Sequence, residues 1–274
     1  MIKLVALLLC VTLCGGLCAC AGTSPAPFSP LVVRAPKIGA ADCFILTCDG
    51  ETMVIDLGEE DDGAEILENL GAEGIHQIQT LVITHFDKDH IGSAQTVLSQ
   101  MPVTQVLQPG YEKTGKRYQA YLDALAAQGI TPQVVTQQQA VTLGDATVTI
   151  YPPLAQHDND NDNSLCILVE HGAVRMLFTG DAMAARTQEL IGKQISQGPY
   201  QLLKIPHHGR YNDTSEMLLQ YTQPQNVWIT CSDKNPPDAE LSALLSLQTA
   251  LAVYETRQGD IRLSSDGKEV QITQ

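Results

Sequence analysis

The segment HFDKDH, residues 85–90, holds two histidines and two aspartates within six positions. It follows the apolar run TLVI, residues 80–83, which has the type and length of a buried strand. The segment IGS, residues 91–93, then predicts the start of a helix. Side chains on such a strand-to-helix turn can converge on one point. Since imidazole and carboxylate together suit zinc or a similar divalent ion, this segment predicts a metal site.

Two further apolar runs end on groups of the same kind. Residues 176–181 (MLFTGD) predict a strand that closes on Gly180 and Asp181, where the glycine permits a tight turn. Residues 202–209 (LLKIPHHG) predict a strand that closes on two histidines. With the first segment, these runs predict ligands delivered from successive strand ends.

The order of elements indicates the fold class. Between residues 31 and 274, runs that predict strands alternate with segments that predict helices, and Asp49-Gly50 predicts an early hairpin turn. The pattern repeats more loosely in the second half, and no interior linker interrupts it. We therefore predict one α/β domain of two sheets, each covered by helices on its outer face, as an αββα four-layer sandwich.

The composition is acidic. Asp and Glu number 31 against 16 Lys and Arg, which gives a formal net charge of −15 and a pI near 4.7. Such a surface repels nucleic acid, so we expect no stable nucleic-acid complex, although a brief enzymatic encounter stays open. The sequence does not fix the oligomeric state.

The first 19 residues predict an export signal. Lys3 supplies a positive charge, and residues 4–13 supply an apolar core too short to span a bilayer comfortably. Residues 17–20 (LCAC) resemble a bacterial lipobox, with Cys20 as the lipidated residue. We expect a lipoprotein signal at 1–19; a plain cleaved signal and an uncleaved anchor are the alternatives.

The segment after this signal, residues 20–30, is rich in Pro and Ser and predicts a flexible tether. The domain then occupies residues 31–274. A lipid anchor on Cys20 would hold it on the outward face of a bacterial cell membrane, whereas a plain signal would release it as a secreted protein.

Four cysteines lie in the domain, and none forms a CxxC pair, which argues against a cysteine zinc site. We expect four buried thiols, and a disulfide between distant strands stays open outside the cell. They are Cys43, Cys48, Cys166 and Cys231.

Taken in chain order, these motifs resemble those of metallo-β-lactamase-fold hydrolases. They are most similar to the extracellular metallo-β-lactamase-like domain of the ComEC family of DNA-uptake channel proteins, and to its free-standing relatives. The first motif resembles HxDxDHxG, in which this branch has Asp where the general superfamily has a second His. The matching segments are 33–42 (VRAPKIGAAD), 52–58 (TMVIDLG), 85–92 (HFDKDHIG), 161–165 (NDNSL), 178–181 (FTGD) and 204–209 (KIPHHG).

The resemblance implies metal-binding roles at the matched positions. It implies two metal positions joined by a bridging carboxylate. The first position would be served by His85 and Asp87, the second by Asp89, His90 and His207, and the bridge by Asp181.

Three further residues are implied around these ligands. Asp56 would orient the histidines by accepting their distal N–H groups. Asn161 or Asn163 would stand where the wider superfamily has a third histidine. Because an amide oxygen is a weaker zinc ligand than imidazole, the first position would be weak, empty or filled by manganese. The expected cofactor is one or two zinc ions, with manganese as the alternative.

The resemblance also suggests catalytic residues. Asp89 would bind metal, or hold or relay the proton of the attacking water. His208 would replace His207 as a ligand or act on the substrate. Lys204 would meet an anionic substrate, or be a solvated strand-end lysine. Arg210 stands where the family has a serine, and residues 234–237 (KNPP) replace a turn that often carries a histidine.

We therefore expect an exported, membrane-tethered hydrolase that uses a metal-activated water. A phosphodiester, such as DNA or a phosphorylated envelope component, is the expected substrate, either small or polymeric. Two alternatives stay open. One is a lactam, lactone or thioester hydrolase, and the other is a non-catalytic or degenerate metal-binding lipoprotein on the same fold.

Overall fold

A computed structural model describes residues 28–274. The predicted signal and the first part of the tether lie outside the described residues. Two of the last tether residues contact the domain: the ring of Phe28 packs on His171 with centroids 5.1 Å apart, and the Ser29 amide donates to Asp145 at 2.7 Å. In residues 28–274, no helix is both long enough and apolar enough to cross a bilayer.

Strands and helices alternate along the described chain. The strands are β1 (Leu31–Ala35), β2 (Phe44–Cys48), β3 (Glu51–Ile55), β4 (Ile78–Val82), β5 (Val103–Gln108), β6 (Gln133–Val134), β7 (Gln139–Leu143), β8 (Ala146–Tyr151), β9 (Cys166–His171), β10 (Val174–Phe178), β11 (Tyr200–Lys204), β12 (Pro224–Ile229), β13 (Ala252–Glu255), β14 (Ile261–Ser265) and β15 (Val270–Thr273). The helices are α1 (Gly63–Ala72), α2 (Lys88–Ile91), α3 (Ala94–Leu98), α4 (Lys116–Ala127), α5 (Ala184–Glu189), α6 (Ser215–Thr222) and α7 (Ala239–Ser246).

The strands form two mixed sheets. The first has eight strands in the order β15-β14-β1-β2-β3-β4-β5-β6, and the second has seven in the order β13-β12-β11-β10-β9-β8-β7. Strands β3 to β6 run parallel in the first sheet, as do β10 to β13 in the second. Several strands therefore end at the same edge of each sheet.

The apolar side chains form three layers of core. Alternation along β3 sends Met53 and Ile55 into the core between the two sheets and sends Val54 outward, against helices α1 to α4. A third core lies between the second sheet and helices α5 to α7. The predicted αββα four-layer sandwich is confirmed.

The four domain cysteines are buried free thiols, as expected. Cys43 and Cys48 lie in different cores because they project from opposite faces of the first sheet. Burial is the largest influence on the Cys43 thiol and raises its pKa well above the ordinary value. These cysteines are therefore core residues.

The structure differs from the sequence prediction in two places. The helix expected from residues 91–93 begins earlier, at Lys88, so α2 itself carries Asp89 and His90. The apolar pattern predicts none of the edge strands β6, β7 and β13, because they hold few fully buried apolar residues. Their positions at the edges of the two sheets supply hydrogen bonds that an apolar pattern does not report.

Candidate metal centre

The centre lies where parallel strands from both sheets end. Asp56 follows β3, and His85 follows β4 closely. From the second sheet, Asp181 follows β10, His208 follows β11, and Thr230 follows β12. Ligands in α/β folds collect at the carboxyl ends of parallel strands, and here both sheets contribute.

Backbone contacts fix the turn that carries the first motif. The Leu57 amide donates to the carbonyl of His90 at 2.8 Å, and the Gly92 amide donates to the carbonyl of Gly58 at 2.8 Å. A Cβ atom at Gly92 would collide with the backbone of Glu60, so only glycine permits this close approach. The loop after β3 is thereby held against α2.

Three residues of the centre have left-handed backbone. Asp56 has φ +61°, His207 has φ +48°, and His208 has φ +53°. Each such conformation costs a non-glycine residue on the order of 1–3 kcal/mol, and it persists only where the surroundings hold it. The strain therefore concentrates where side chains must converge.

Four side chains present donor atoms within 4.8 Å of one another: Asp89, His90, Asp181 and His208. Oδ2 of Asp181 lies 3.3 Å from Nε2 of His90 and 3.3 Å from Nε2 of His208. Oδ2 of Asp89 lies 3.4 Å from the same His208 nitrogen. Two imidazoles and two carboxylates match the donor set that zinc and similar ions prefer.

Buried acceptors set the tautomers of two histidines. Nδ1 of His90 lies 2.7 Å from Oδ2 of Asp56, and Nδ1 of His208 lies 3.0 Å from the carbonyl oxygen of Thr230. A carboxylate and a carbonyl only accept, so both Nδ1 atoms donate. In the neutral ring this leaves each Nε2 lone pair free to bind a metal.

A third histidine follows the same rule through a threonine. The Thr84 hydroxyl donates to Oδ2 of Asp56 at 2.7 Å, so its oxygen can accept from Nδ1 of His85, which is 3.2 Å away. Nε2 of His85 then faces Oδ2 of Asp181 at 3.9 Å and Oδ2 of Asp87 at 3.8 Å.

The residues fit a divalent ion. The Nε2 atoms of His85, His90 and His208 are buried and have no hydrogen-bond partner within residues 28–274. Buried polar atoms are nearly always satisfied, so these unsatisfied nitrogens require an explanation. A cation bound among Asp89, His90, Asp181 and His208 would accept the lone pairs of His90 and His208, whereas the lone pair of His85 would serve a second position.

The pKa values of the three histidines are shifted in different directions. Burial, reinforced by His90, lowers the pKa of His85 to about 3. Burial also acts to lower the pKa of His208, but Asp181, Asp42 and Asp89 outweigh it and raise the value to about 9. Burial is likewise outweighed at His90, where Asp181 and Asp56 raise the pKa well above its ordinary value. A metal ion would therefore displace protons from two of the three rings.

Lys204 lies beneath the centre and is fully buried. Its ammonium lies 2.5 Å from Oδ2 of Asp42 and 3.5 Å from Oδ1 of Asp181, and it donates to the carbonyl of Gly180 at 2.9 Å. The predictions that it meets an anionic substrate or is solvated are both wrong, because β11 delivers it between the sheets. It balances the charge of buried carboxylates instead.

Two other predicted residues are not among the four converging side chains. Nδ1 of His207 lies 3.1 Å from Sδ of Met183, and its Nε2 lies 3.9 Å from Oδ2 of Asp181, farther than the 3.3 Å of Nε2 of His208. The amide of Asn163 bonds the backbone of His157 in both directions at 2.9 Å, so the prediction that it takes the place of a third histidine is contradicted. Asn161, the alternative, uses its backbone amide to bond Asn159.

Sequence reasoning gave no role to four residues that hold the centre. Asp42 accepts from the Thr230 hydroxyl at 2.6 Å and lies 3.6 Å from Nδ1 of His208. Thr84 immediately precedes the first motif, a position that could have signalled its role. Lys113 forms an ion pair with Asp87, and nothing in the local sequence around it indicates this contact.

The fold and this cluster define the class. Residues 37–229 match the family model of the metallo-beta-lactamase superfamily, and the chain belongs to that family. The predicted recognition is thus confirmed, and the cluster of His and Asp residues lies where the family motifs are.

Within the family, two curated relatives are similar to this chain. Recombination protein 2 of Haemophilus influenzae is 28% identical over 73% of this chain and 24% of its own length. ComE operon protein 3 of Bacillus subtilis is 28% identical over 70% of this chain and 25% of its own length. The chain thus spans about a quarter of these relatives, which agrees with a ComEC-like domain.

A solved structure shows the same fold. A diphosphatase from the PhnP family superposes with a TM-score of 0.51 at 16% identity, covering 82% of this chain and 94% of its own.

Proposed function

We propose that the protein is a metal-dependent hydrolase that cleaves a phosphodiester with a metal-activated water. The observation that carries the proposal is the convergence of Asp89, His90, Asp181 and His208, with buried imidazole nitrogens that lack other partners. A divalent ion bound there supplies a Lewis acid and lowers the pKa of a coordinated water toward neutrality.

The residues of the chain prepare this chemistry. Asp56 and Thr230 fix the imidazoles of His90 and His208 with their Nε2 atoms inward. Lys204 balances Asp181 from below, so that one oxygen of Asp181 stays turned to the histidines. Because these metal ligands are already oriented, the centre needs no rearrangement when charge develops on the substrate.

Asp89 is the member of the cluster that is most exposed to solvent, since its side chain is 23% exposed and those of the other three are 6% exposed or less. It is therefore placed to bind the metal and to contact the proton of an attacking water. His208 is buried and serves as a ligand in this proposal, in place of His207.

Phosphodiester substrates are favoured over lactams by two comparisons. The first motif has Asp87, where the general superfamily has a second histidine, and the superposed neighbour is by its title a diphosphatase. The metal charge acts locally, so the acidic surface permits a brief encounter with an anionic substrate.

The test is hydrolysis of bis-(p-nitrophenyl) phosphate by the purified protein with added Zn²⁺ or Mn²⁺. We expect activity that is lost in Asp181→Asn and kept in Asp123→Asn, a matched change on the exposed surface of α4. Absence of activity with any ion, in a folded protein that binds metal, would leave the binding-lipoprotein alternative. Hydrolysis of nitrocefin or a lactone alone would favour the lactam or lactone alternative.

We further propose export and anchoring through Cys20, supported by the charged, apolar and lipobox-like order of residues 1–20. Membrane fractionation of a bacterium that expresses the full chain tests this. We expect the protein in the membrane fraction, and Cys20→Ala in the soluble exported fraction. An unlabelled protein after growth with a radioactive fatty acid would contradict lipidation.

A further inference from the structure

The two halves of the centre are unequal. The nitrogens of His90 and His208 and the carboxylate of Asp89 converge on Asp181. His85 lies outside this group; it is fully buried, and its Nε2, which has no hydrogen-bond partner among the described residues, lies 3.8 Å from Oδ2 of Asp87. Among the described residues, Asp87 is thus the carboxylate that would complete a second position beside His85.

Lys113 engages that carboxylate. Its ammonium pairs with Oδ1 of Asp87 and, at 2.9 Å, with Oδ2 of Asp160. Through these two ion pairs, the lysine links the first motif to the loop before β9.

The segment that carries Lys113 is itself attached to the motif. The hydroxyl of Tyr111 accepts from the backbone amide of Phe86 at 3.0 Å, and the two rings pack with centroids 5.0 Å apart. Because Phe86 lies between His85 and Asp87 in sequence, this attachment sets the lysine directly beside the incomplete position.

One of the two asparagines expected at this position is engaged elsewhere. Asn163 uses its amide oxygen and nitrogen on the backbone of His157. Asp181 also faces His90 and His208, and Asp87, the carboxylate nearest to Nε2 of His85, is held by an ammonium.

We propose that Lys113 is a built-in cation that holds Asp87 and excludes a second divalent ion, so that the centre binds one ion. The proposal rests on the proposed function. A divalent ion bound to Asp87 would lie close to the Lys113 ammonium, and the two positive charges would repel each other. The Asp87 carboxylate would therefore pair with the ammonium or bind the ion, but not both. The chain thus has the residues of a two-metal motif, but the ammonium of Lys113 takes the place of the second ion.

The experiment counts bound zinc by elemental analysis after excess metal is removed by gel filtration. We expect one equivalent in the wild type and two in Lys113→Met, which frees Asp87. In the double variant Lys113→Met/Asp87→Asn we expect one again. Lys88→Met, which removes a neighbouring exposed lysine paired with Glu59, should stay at one.

The outcomes separate the two proposals. Two equivalents in the wild type would overturn the role of Lys113 without any variant, and so would one equivalent in a folded Lys113→Met protein. In both cases the hydrolase proposal would stand. Absence of bound zinc in every protein would overturn the one-ion proposal, whereas the hydrolase proposal would be overturned only by absence of activity with both Zn²⁺ and Mn²⁺. Circular dichroism of each variant confirms that its fold is intact.

Discussion

Nδ1 of His90 lies 2.7 Å from Oδ2 of Asp56, and both side chains are completely buried. Oδ2 of the aspartate also accepts from the Thr84 hydroxyl, and its Oδ1 accepts from the Thr84 amide at 2.7 Å. One buried carboxylate therefore orients one histidine directly and a second, His85, through a threonine.

We expect Asp56→Asn to weaken zinc binding by about 10–100-fold, the usual effect of losing a carboxylate that orients a ligand histidine. The amide keeps the shape of the side chain but places an NH₂ group where Oδ2 accepts two hydrogens. Competition with a chelator of known affinity measures the change, and Asp123→Asn is the control. Unchanged affinity in a folded variant would show that His90 is oriented without Asp56.

The two adjacent histidines should behave differently. His208 is buried and faces Asp181 at 3.3 Å, whereas the His207 side chain is 29% exposed and contacts Met183. Loss of a residue that only orients a metal ligand lowers metal affinity by up to roughly 100-fold. We expect His208→Ala to lower zinc affinity by more than this and His207→Ala to lower it by less. Titration with a zinc-sensitive dye measures both. The reverse order would restore His207 as the ligand.

Removal of the buried cation should destabilise the fold. Lys204→Met keeps the length of the side chain but leaves Asp42 and Asp181 without their cation, and breaking a buried ion pair costs about 3–5 kcal/mol. Urea unfolding in the presence of a chelator measures the loss. Lys88→Met, an exposed change, should stay within about 0.5 kcal/mol. A similarly small loss at Lys204 would mean that water or protonation replaces the pair.

Asp62 should make stability depend on pH. Burial is the main cause that raises its pKa to about 6 in the folded protein. The folded state then holds a proton that the unfolded state has released, so the stability from Asp62 is present below about pH 4 and falls as the pH rises to about 6. In Asp62→Asn this fall should disappear, while the acceptor for the Glu59 amide is kept.

Urea unfolding of metal-free wild type and Asp62→Asn at pH 4 to 7 measures this effect, with Asp123→Asn in the same buffers as control. We expect the stability of the wild type relative to the variant to fall between about pH 4 and 6. A difference that does not change with pH would show that Asp62 has no raised pKa in the folded state.

Much of the fold follows from local pattern. The apolar runs at residues 31–35, 146–151 and 174–178 predict three strands, and β1, β8 and β10 have these bounds because their side chains are mostly buried. Residues 261–264 and 269–273 also predict two strands, which form the C-terminal hairpin, but nothing in their local pattern places this hairpin beside β1 in the first sheet. Which sheet a strand joins depends on contacts far along the chain.

The metal motifs can also be predicted from sequence, because His and Asp residues follow the ends of apolar runs. Local sequence, however, could not choose between His207 and His208, because both have left-handed backbone and the carbonyl of Thr230 on a distant segment decides which ring is fixed. Nor could it place Lys204, whose strand-end position suggests exposure but whose partner Asp42 comes from the first sheet.

The fold class, the donor types and the three strand ends that carry them can be read from the sequence, since hydrophobic period and residue chemistry over a few positions encode them. Which donors meet, and which are held by a cation, follows from tertiary contacts. Asp87 shows the reason: the sequence presents it as a ligand, but the ammonium of Lys113 reaches it through the packing of Tyr111 on Phe86. Charge pairing of this kind depends on distances in space that a local pattern does not contain.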